Sequence, residues 1–140
     1  MSNPSVNVLI VTYNQEEIIE ETIESVVDQS YENISKIIIS DDESKDETPN
    51  IIMEYAKKNQ SIYPLLAEKN RGITYNMNRA LSQANGNFIS FLDGDDLMFH
   101  NKIEKQVKFL NSHADISVCA HDMDVFDIRK GKSVGNLVKS

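Results

Sequence analysis

Two kinds of apolar pattern alternate along this chain, and the alternation is the first guide to its architecture. Short runs in which most positions are apolar or β-branched read as buried strands: Val6–Thr12, then residues 36–40, 63–67, 87–92 and 116–120. Between them apolar residues return at helical spacing. Ile19, Ile23, Val26 and Val27 mark a first helix, residues 47–58 a second, and Ile73, Met77, Ala80, Leu81 and Ala84 a third. Ile103, Val107 and Leu110 mark a fourth. The polar punctuation agrees. Glu16 and Glu17 suit the positive first turn of a helix, and Glu20, Glu21 and Glu24 continue a solvated face. Ser44-Lys45-Asp46-Glu47 ahead of Thr48-Pro49 is a capping-box pattern, Asn70-Arg71-Gly72 is a turn, and Asn85-Gly86 closes the third helix. Strand and helix in alternation predict an α/β fold, a mostly parallel sheet with helices on both faces. From Arg129 the chain turns basic and glycine-containing, which predicts one domain over residues 1–128 and a turn or flexible tail over 129–140.

Two of the predicted strands end in acid. Phe88 to Leu92 runs directly into Asp93, Asp95 and Asp96, and the run at 36–40 ends in Asp41 and Asp42. Carboxylates crowded at a strand terminus repel one another unless a cation or donor groups offset their charge. In an open parallel sheet, ligands bind beyond the carboxyl ends of the strands, so the two clusters are expected to face one crevice. The Asp93-x-Asp95 spacing lets two side chains on one short loop reach the same octahedral ion, with diphosphate oxygens and water completing its shell. Magnesium or manganese suits such ligands. The bland alternatives are that Gly94 makes a turn whose aspartates cap the segment from Leu97 onward, and that Asp41 or Asp42 caps its own turn through an Asx bond.

Charge narrows the partners. The formal net charge is −8 over 140 residues, which argues against a general nucleic-acid or anionic-membrane surface, because such partners select basic patches. A polyanionic ligand would need a bridging cation. No apolar run reaches the roughly 20 residues of a membrane-spanning helix, and the amino terminus lacks a signal-peptide pattern, so the cytoplasm is the expected compartment. The single cysteine, Cys119, excludes an internal disulfide and a thiolate zinc cage.

Taken together, Val-Thr-Tyr-Asn at 11–14, Ser-Asp-Asp-Glu-Ser-Lys-Asp-Glu-Thr at 40–48, Asn-Arg-Gly at 70–72 and Phe-Leu-Asp-Gly-Asp-Asp at 91–96 resemble glycosyltransferase family 2, with its Rossmann-like GT-A fold. The resemblance spans nearly the whole chain in the family's order. It implies a nucleotide-sugar-binding half in which Thr12, Tyr13 and Asn14 wall the base pocket and Asp42, beside Asp41, accepts a hydrogen bond from the base, usually uracil. It also implies that Arg71, Gly72 and Gly94 contribute to the donor site, that Asp93 lies near the ribose, and that Asp95, with Asp93, binds Mn2+ or Mg2+. An aromatic face can stack on a base, and a carboxylate, able only to accept, selects a base edge that presents an N–H.

Some positions depart from the family pattern. Glu43 stands where glycine is frequent, His100 where proline is, and Met77 where many members carry arginine. Arg71 and Arg79 are candidates to replace that cation, although Arg79 reads more simply as a solvated helix charge. His121 and His113 read as structural. The resemblance further implies an inverting transferase acting on a glycan, polysaccharide or lipid-linked acceptor, with peripheral membrane association for a longer enzyme. Its general base is expected downstream of this sequence, and Asp122, Asp124 and Asp127 do not match it. Two other readings stand beside this one: a noncatalytic nucleotide-sugar-binding module or truncated remnant, and a receiver-like signalling domain. The last wants acids after the first strand, where this chain has Thr12-Tyr13-Asn14.

Overall fold

The computed structural model describes residues 3–127 and 129–136. Its elements follow the order β1 (Val6–Thr12), α1 (Ile19–Val27), β2 (Ile34–Asp41), α2 (Thr48–Lys58), β3 (Ile62–Leu66), α3 (Ile73–Leu81), β4 (Phe88–Asp93), α4 (Lys102–Ser112), β5 (Asp124–Asp127) and β6 (Lys132–Asn136). The first four strands form one parallel sheet in the order β3-β2-β1-β4. From β1 the chain moves one way to β2 and β3, then crosses back to place β4 on the other side. The gap above β1 and β4 is therefore the point where the winding reverses, the usual position of a ligand crevice in such sheets.

Strand β1 is buried at all seven positions because it is central, with neighbours on both edges and helices on both faces. Alternate side chains feed two cores. Val6, Val8 and Ile10 pack with Ile37, Ile39 and Leu92 against α1, α2 and α4, through Ile19, Ile23, Ile52 and Ile103. Leu9 and Ile38 point the other way, toward Ala80 of α3. The expected parallel α/β sheet with helices on both faces is what forms.

The chain divides into two compact units, Met1–Val107 and Lys108–Ser140, and the division falls inside α4. In the second unit, β5 and β6 pair as an antiparallel hairpin. The strand expected at 116–120 does not form, and those residues carry no regular structure. Their β-branched composition acts only where a strand can pair and bury a face, and Val118 is 80% exposed. The segment expected to be a turn or tail contains the turn at 129–131 and strand β6, while Ile128 and residues 137–140 lie outside the described residues. Among the described residues, no helix is long and apolar enough to cross a membrane.

The loops after β1 and β2 are laced together across their gap. Asn14 N–H donates to Ser44 Oγ (2.8 Å), and Lys45 N–H donates back to Asn14 Oδ1 (2.8 Å). Gln15 N–H donates to Thr48 Oγ1 (2.8 Å), and Glu47 N–H to Glu16 Oε2 (2.8 Å). These bonds replace the capping box expected at 44–47: α2 begins after Glu47 without a side-chain cap. Asp46 accepts from Glu16 N–H (3.1 Å) and Thr48 N–H (3.0 Å). Burial alone would raise its pKa, but the bonds from Thr48 and Glu16 outweigh that and hold the carboxyl below the ordinary aspartate value. A depressed carboxylate stabilises the fold above its unfolded pKa, and that contribution disappears as pH falls through the folded value. Urea unfolding at pH 7, 4 and 3 should show stability falling below about pH 4, with a shallower fall in Asp46→Asn. An equally steep acid limb in the variant would show that Asp46 is not responsible.

Candidate active site

Register explains how the acidic strand ends meet. In the parallel ladders, Thr12 pairs with Asp41 and Val11 with Asp93, so β1 carries an acidic terminus on each side. Above these ends lies a crevice of about 550 Å³. Val11 and Thr12 line it from β1 and Tyr13 from just beyond it, Asp42 from just after β2, Gly72 from the loop before α3, Asp93 from the end of β4 and Asp95 from the loop that follows. The two acidic clusters do share one site.

Asp41 and Asp42 are adjacent but have different work, as alternation along a strand requires. Asp41 is buried and accepts from Ser44 N–H (2.9 Å) and from the Ser44 hydroxyl, an Asx-type hold on its own turn. Asp42, only 3% exposed, faces the crevice. Its Oδ1 accepts from Arg71 N–H (3.0 Å), and its Oδ2 from Gly72 N–H (2.8 Å) and more distantly Arg71 N–H (3.2 Å). Gly72 is the N-cap of α3, so a carboxylate sits where the helix dipole favours negative charge. Its φ of +86° is a backbone conformation that a side chain would strain. A carboxylate has about four acceptor positions, and three contacts leave one for a ligand donor.

Gly94 is a close-approach residue rather than a simple turn-former. Its N–H donates to Val11 O (2.8 Å), and its carbonyl accepts from Thr22 Oγ1 (2.9 Å). A Cβ there would run into the Gln15 side chain and lie 2.7 Å from Thr12 Cβ and 2.8 Å from Thr12 Oγ1. The glycine brings the acidic loop down onto β1. Asn14 is not among the crevice-lining residues; it serves the lacing between loops. Arg71 contributes its N–H to Asp42, while its guanidinium lies over the Tyr75 ring, 4.7 Å from the centroid.

Arg79 differs from the expected solvated charge. Its Nε donates to Ser40 Oγ (3.0 Å), and one terminal nitrogen donates to Asp41 O (2.6 Å), Leu65 O (2.9 Å) and Asn76 Oδ1 (3.0 Å). The guanidinium thus closes the carboxyl ends of β2 and β3, and is spent there rather than offered to a ligand. Asn76, buried beneath the crevice, also takes a bond from Ser40 Oγ and donates to Ser40 O (2.7 Å). Gln15, Asn70, Ile73 and Asn76 complete the crevice wall, and sequence reasoning does not select them. Asn70 opens the Asn-Arg-Gly motif, and Asn76 lies one helical turn after Gly72; those are the signals the sequence offers for them.

The electrostatics of the crevice are one-sided: among the described residues its lining includes three carboxylates and no lysine or arginine. Asp96 beside it has its pKa raised, by desolvation first and then by the charges of Asp95 and Asp93. Among the described residues, no three His, Cys, Asp or Glu side chains gather to hold a metal unaided. The donor set at Asp93 and Asp95 consists of hard oxygens, too few to fill an octahedral shell. That chemistry fits a cation shared with a ligand that brings oxygens of its own.

Comparison with known proteins agrees with this geometry. The family model for glycosyl transferase family 2 matches residues 7–134. EpsE of Bacillus subtilis, named a glycosyltransferase, is 40% identical over 127 residues, covering 90% of this chain and 45% of EpsE. TuaG of Bacillus subtilis, named a teichuronic acid biosynthesis glycosyltransferase, is 39% identical over 107 residues, covering 76% of this chain and 42% of TuaG. The chain thus spans less than half the length of these curated relatives. Among solved structures, residues 1–349 of S. aureus TarS in complex with UDP-GlcNAc superpose with a TM-score of 0.72 at 29% identity, covering 79% of this chain and 32% of that one. The mannosyltransferase PcManGT of Pyrobaculum calidifontis, in complex with GDP-Man and Mn2+, superposes with a TM-score of 0.73 at 26% identity, covering 79% and 33%. By sequence and by fold, this chain belongs to glycosyltransferase family 2.

Proposed function

We propose that this chain is the donor-binding half of an inverting glycosyltransferase, which takes a sugar from a nucleoside-diphosphate sugar, with uracil the favoured base, to a glycan or polysaccharide acceptor. The observation that carries the reading is the crevice itself, where Tyr13, Asp42, Asp93 and Asp95 meet above the strand ends where the winding reverses. Tyr13, 47% exposed at the rim, offers a flat face for a base. The remaining acceptor position on Asp42 suits an imide N–H. Asp93, which lines the same crevice, would accept from the ribose hydroxyls, and Asp95 with Asp93 would hold Mn2+ or Mg2+. The metal would neutralise the diphosphate as it leaves. The acidic lining supports this reading, because a diphosphate in that crevice needs a positive charge that none of the described lining side chains supplies. The neighbours whose complexes contain UDP-GlcNAc, or GDP-Man with Mn2+, support it as well.

Uracil and cytosine test the role of Asp42 because they differ at the edge concerned: uracil N3 carries a hydrogen, and cytosine N3 is an acceptor. Titrations of UDP and CDP in Mn2+ should give UDP the tighter binding by about tenfold or more, since facing an acceptor toward a carboxylate leaves both unpaired. Equal affinities would remove Asp42 from base recognition.

A further inference from the structure

Three successive backbone N–H groups of the loop before α3 point at two adjacent carboxylates. Arg71 and Gly72 donate to Asp42, and Asn70 donates to Glu43 Oε2 (3.0 Å). Glu43 stands two residues past the end of β2 with φ of +68°, in the left-handed region that a residue with a Cβ enters only at a cost. Its side chain is engaged at both carboxylate oxygens. Its Oε1 is held by Lys45 Nζ (2.7 Å), which leaves Oε2 for Asn70. The loop so held is part of the crevice, because Asn70, Gly72 and Ile73 all line it.

We infer that Glu43 is a positioning residue for nucleotide binding: its carboxylate latches Asn70 and, with Asp42, holds the 70–72 loop where that loop forms the crevice wall. The inference rests on the nucleotide reading above and goes beyond it by giving Glu43 a role that the acidic motif alone does not contain. Asp42 serves the wall and the base at once, so any drift of the loop also redirects the acceptor meant for the ligand. Glu43 removes that drift by fixing the loop one residue earlier. Without the latch, the loop would visit its binding-competent position for only part of the time, and the apparent Kd would rise in inverse proportion to that fraction.

The test uses Glu43→Gly and Glu43→Gln, with amide hydrogen exchange and calorimetric titration of UDP in Mn2+. Glycine adopts the backbone conformation freely, so Glu43→Gly should melt at or above the wild-type temperature. The same variant should exchange the amides of Asn70, Arg71 and Gly72 about tenfold faster and bind UDP about tenfold more weakly. Glu43→Gln keeps an acceptor oxygen and should recover both to within about threefold of wild type. Unchanged exchange and affinity in Glu43→Gly would overturn the latch while leaving the nucleotide reading in place. Lost affinity that merely follows a lowered melting temperature would also overturn it, since that is the signature of a structural role. A wild-type chain that binds no UDP would bring down the nucleotide reading and this inference with it.

Discussion

Asp95→Ala is expected to lower the Mn2+-dependent affinity for UDP by about 100-fold or more, because a direct ligand should matter at least as much as the outer-shell partners of metal sites. The fold should not suffer. Asp95 is exposed in the turn just beyond β4 and, among the described residues, its carboxylate accepts no hydrogen bond. Its charge raises the pKa of Asp96, so removing it relieves crowding rather than breaking a contact. The melting temperature should therefore stay level or rise slightly while binding collapses. The separation is diagnostic: a variant that binds UDP as tightly as wild type would take Asp95 out of the metal site. A variant that melts well below wild type would show instead that Asp95 supports the fold.

Arg79→Ala is expected to behave in the opposite way, as the largest loss of stability among surface-charge substitutions. It deletes donors to Ser40, Asp41, Leu65 and Asn76 together, two of them carbonyls at the carboxyl ends of neighbouring strands. Hydrogen bonds to a charged donor contribute about 1.5–3 kcal/mol each, and their loss is less than additive, so about 3 kcal/mol is a reasonable expectation. That corresponds to a melting temperature lower by on the order of 10 °C. Lysine should recover little, since one ammonium cannot reproduce a planar fork that reaches four acceptors. Urea unfolding of the three proteins checks this. A loss in Arg79→Ala below about 0.5 kcal/mol, the range of ordinary surface changes, would show that the guanidinium is a solvated charge after all.

The contrast between these two residues marks what the sequence could convey. The pattern of apolar runs and helical spacings located the first four strands and the four helices of the described residues within a few residues. Burial on both faces leaves a near-continuous β-branched run, and burial on one face leaves a period near four. The crevice positions of Asp93 and Asp95 were legible because carboxylates after an apolar strand conflict with local stability and call for another explanation. Arg79 was not legible: a cation on a helix has the same local signature whether it meets water or the carbonyls of strands β2 and β3. Only the position of α3 over those strand ends distinguishes the two. Asp41 and Asp42 could not be separated by composition, since their division of labour depends on which face each presents at the last step of β2. The stretch at 116–120 failed for the converse reason. Its residues suit a strand, but strand formation depends on a pairing partner, which no local pattern encodes.

Glu43 belongs with Arg79 in this respect. A charged residue directly after an Asp-Asp pair carries no local sign of a role, and its significance emerges only from the backbone angle and from the loop its carboxylate reaches.

A nucleoside diphosphate held in the crevice at the strand ends through a shared divalent cation should be visible to calorimetry. The experiment is titration of UDP into this chain, first in Mn2+ and then with a chelator present. Saturable binding in Mn2+ that disappears with the chelator is the predicted result. Binding of equal strength in both conditions would contradict the cation's role, and no binding in either would contradict the claim that this crevice is a donor site.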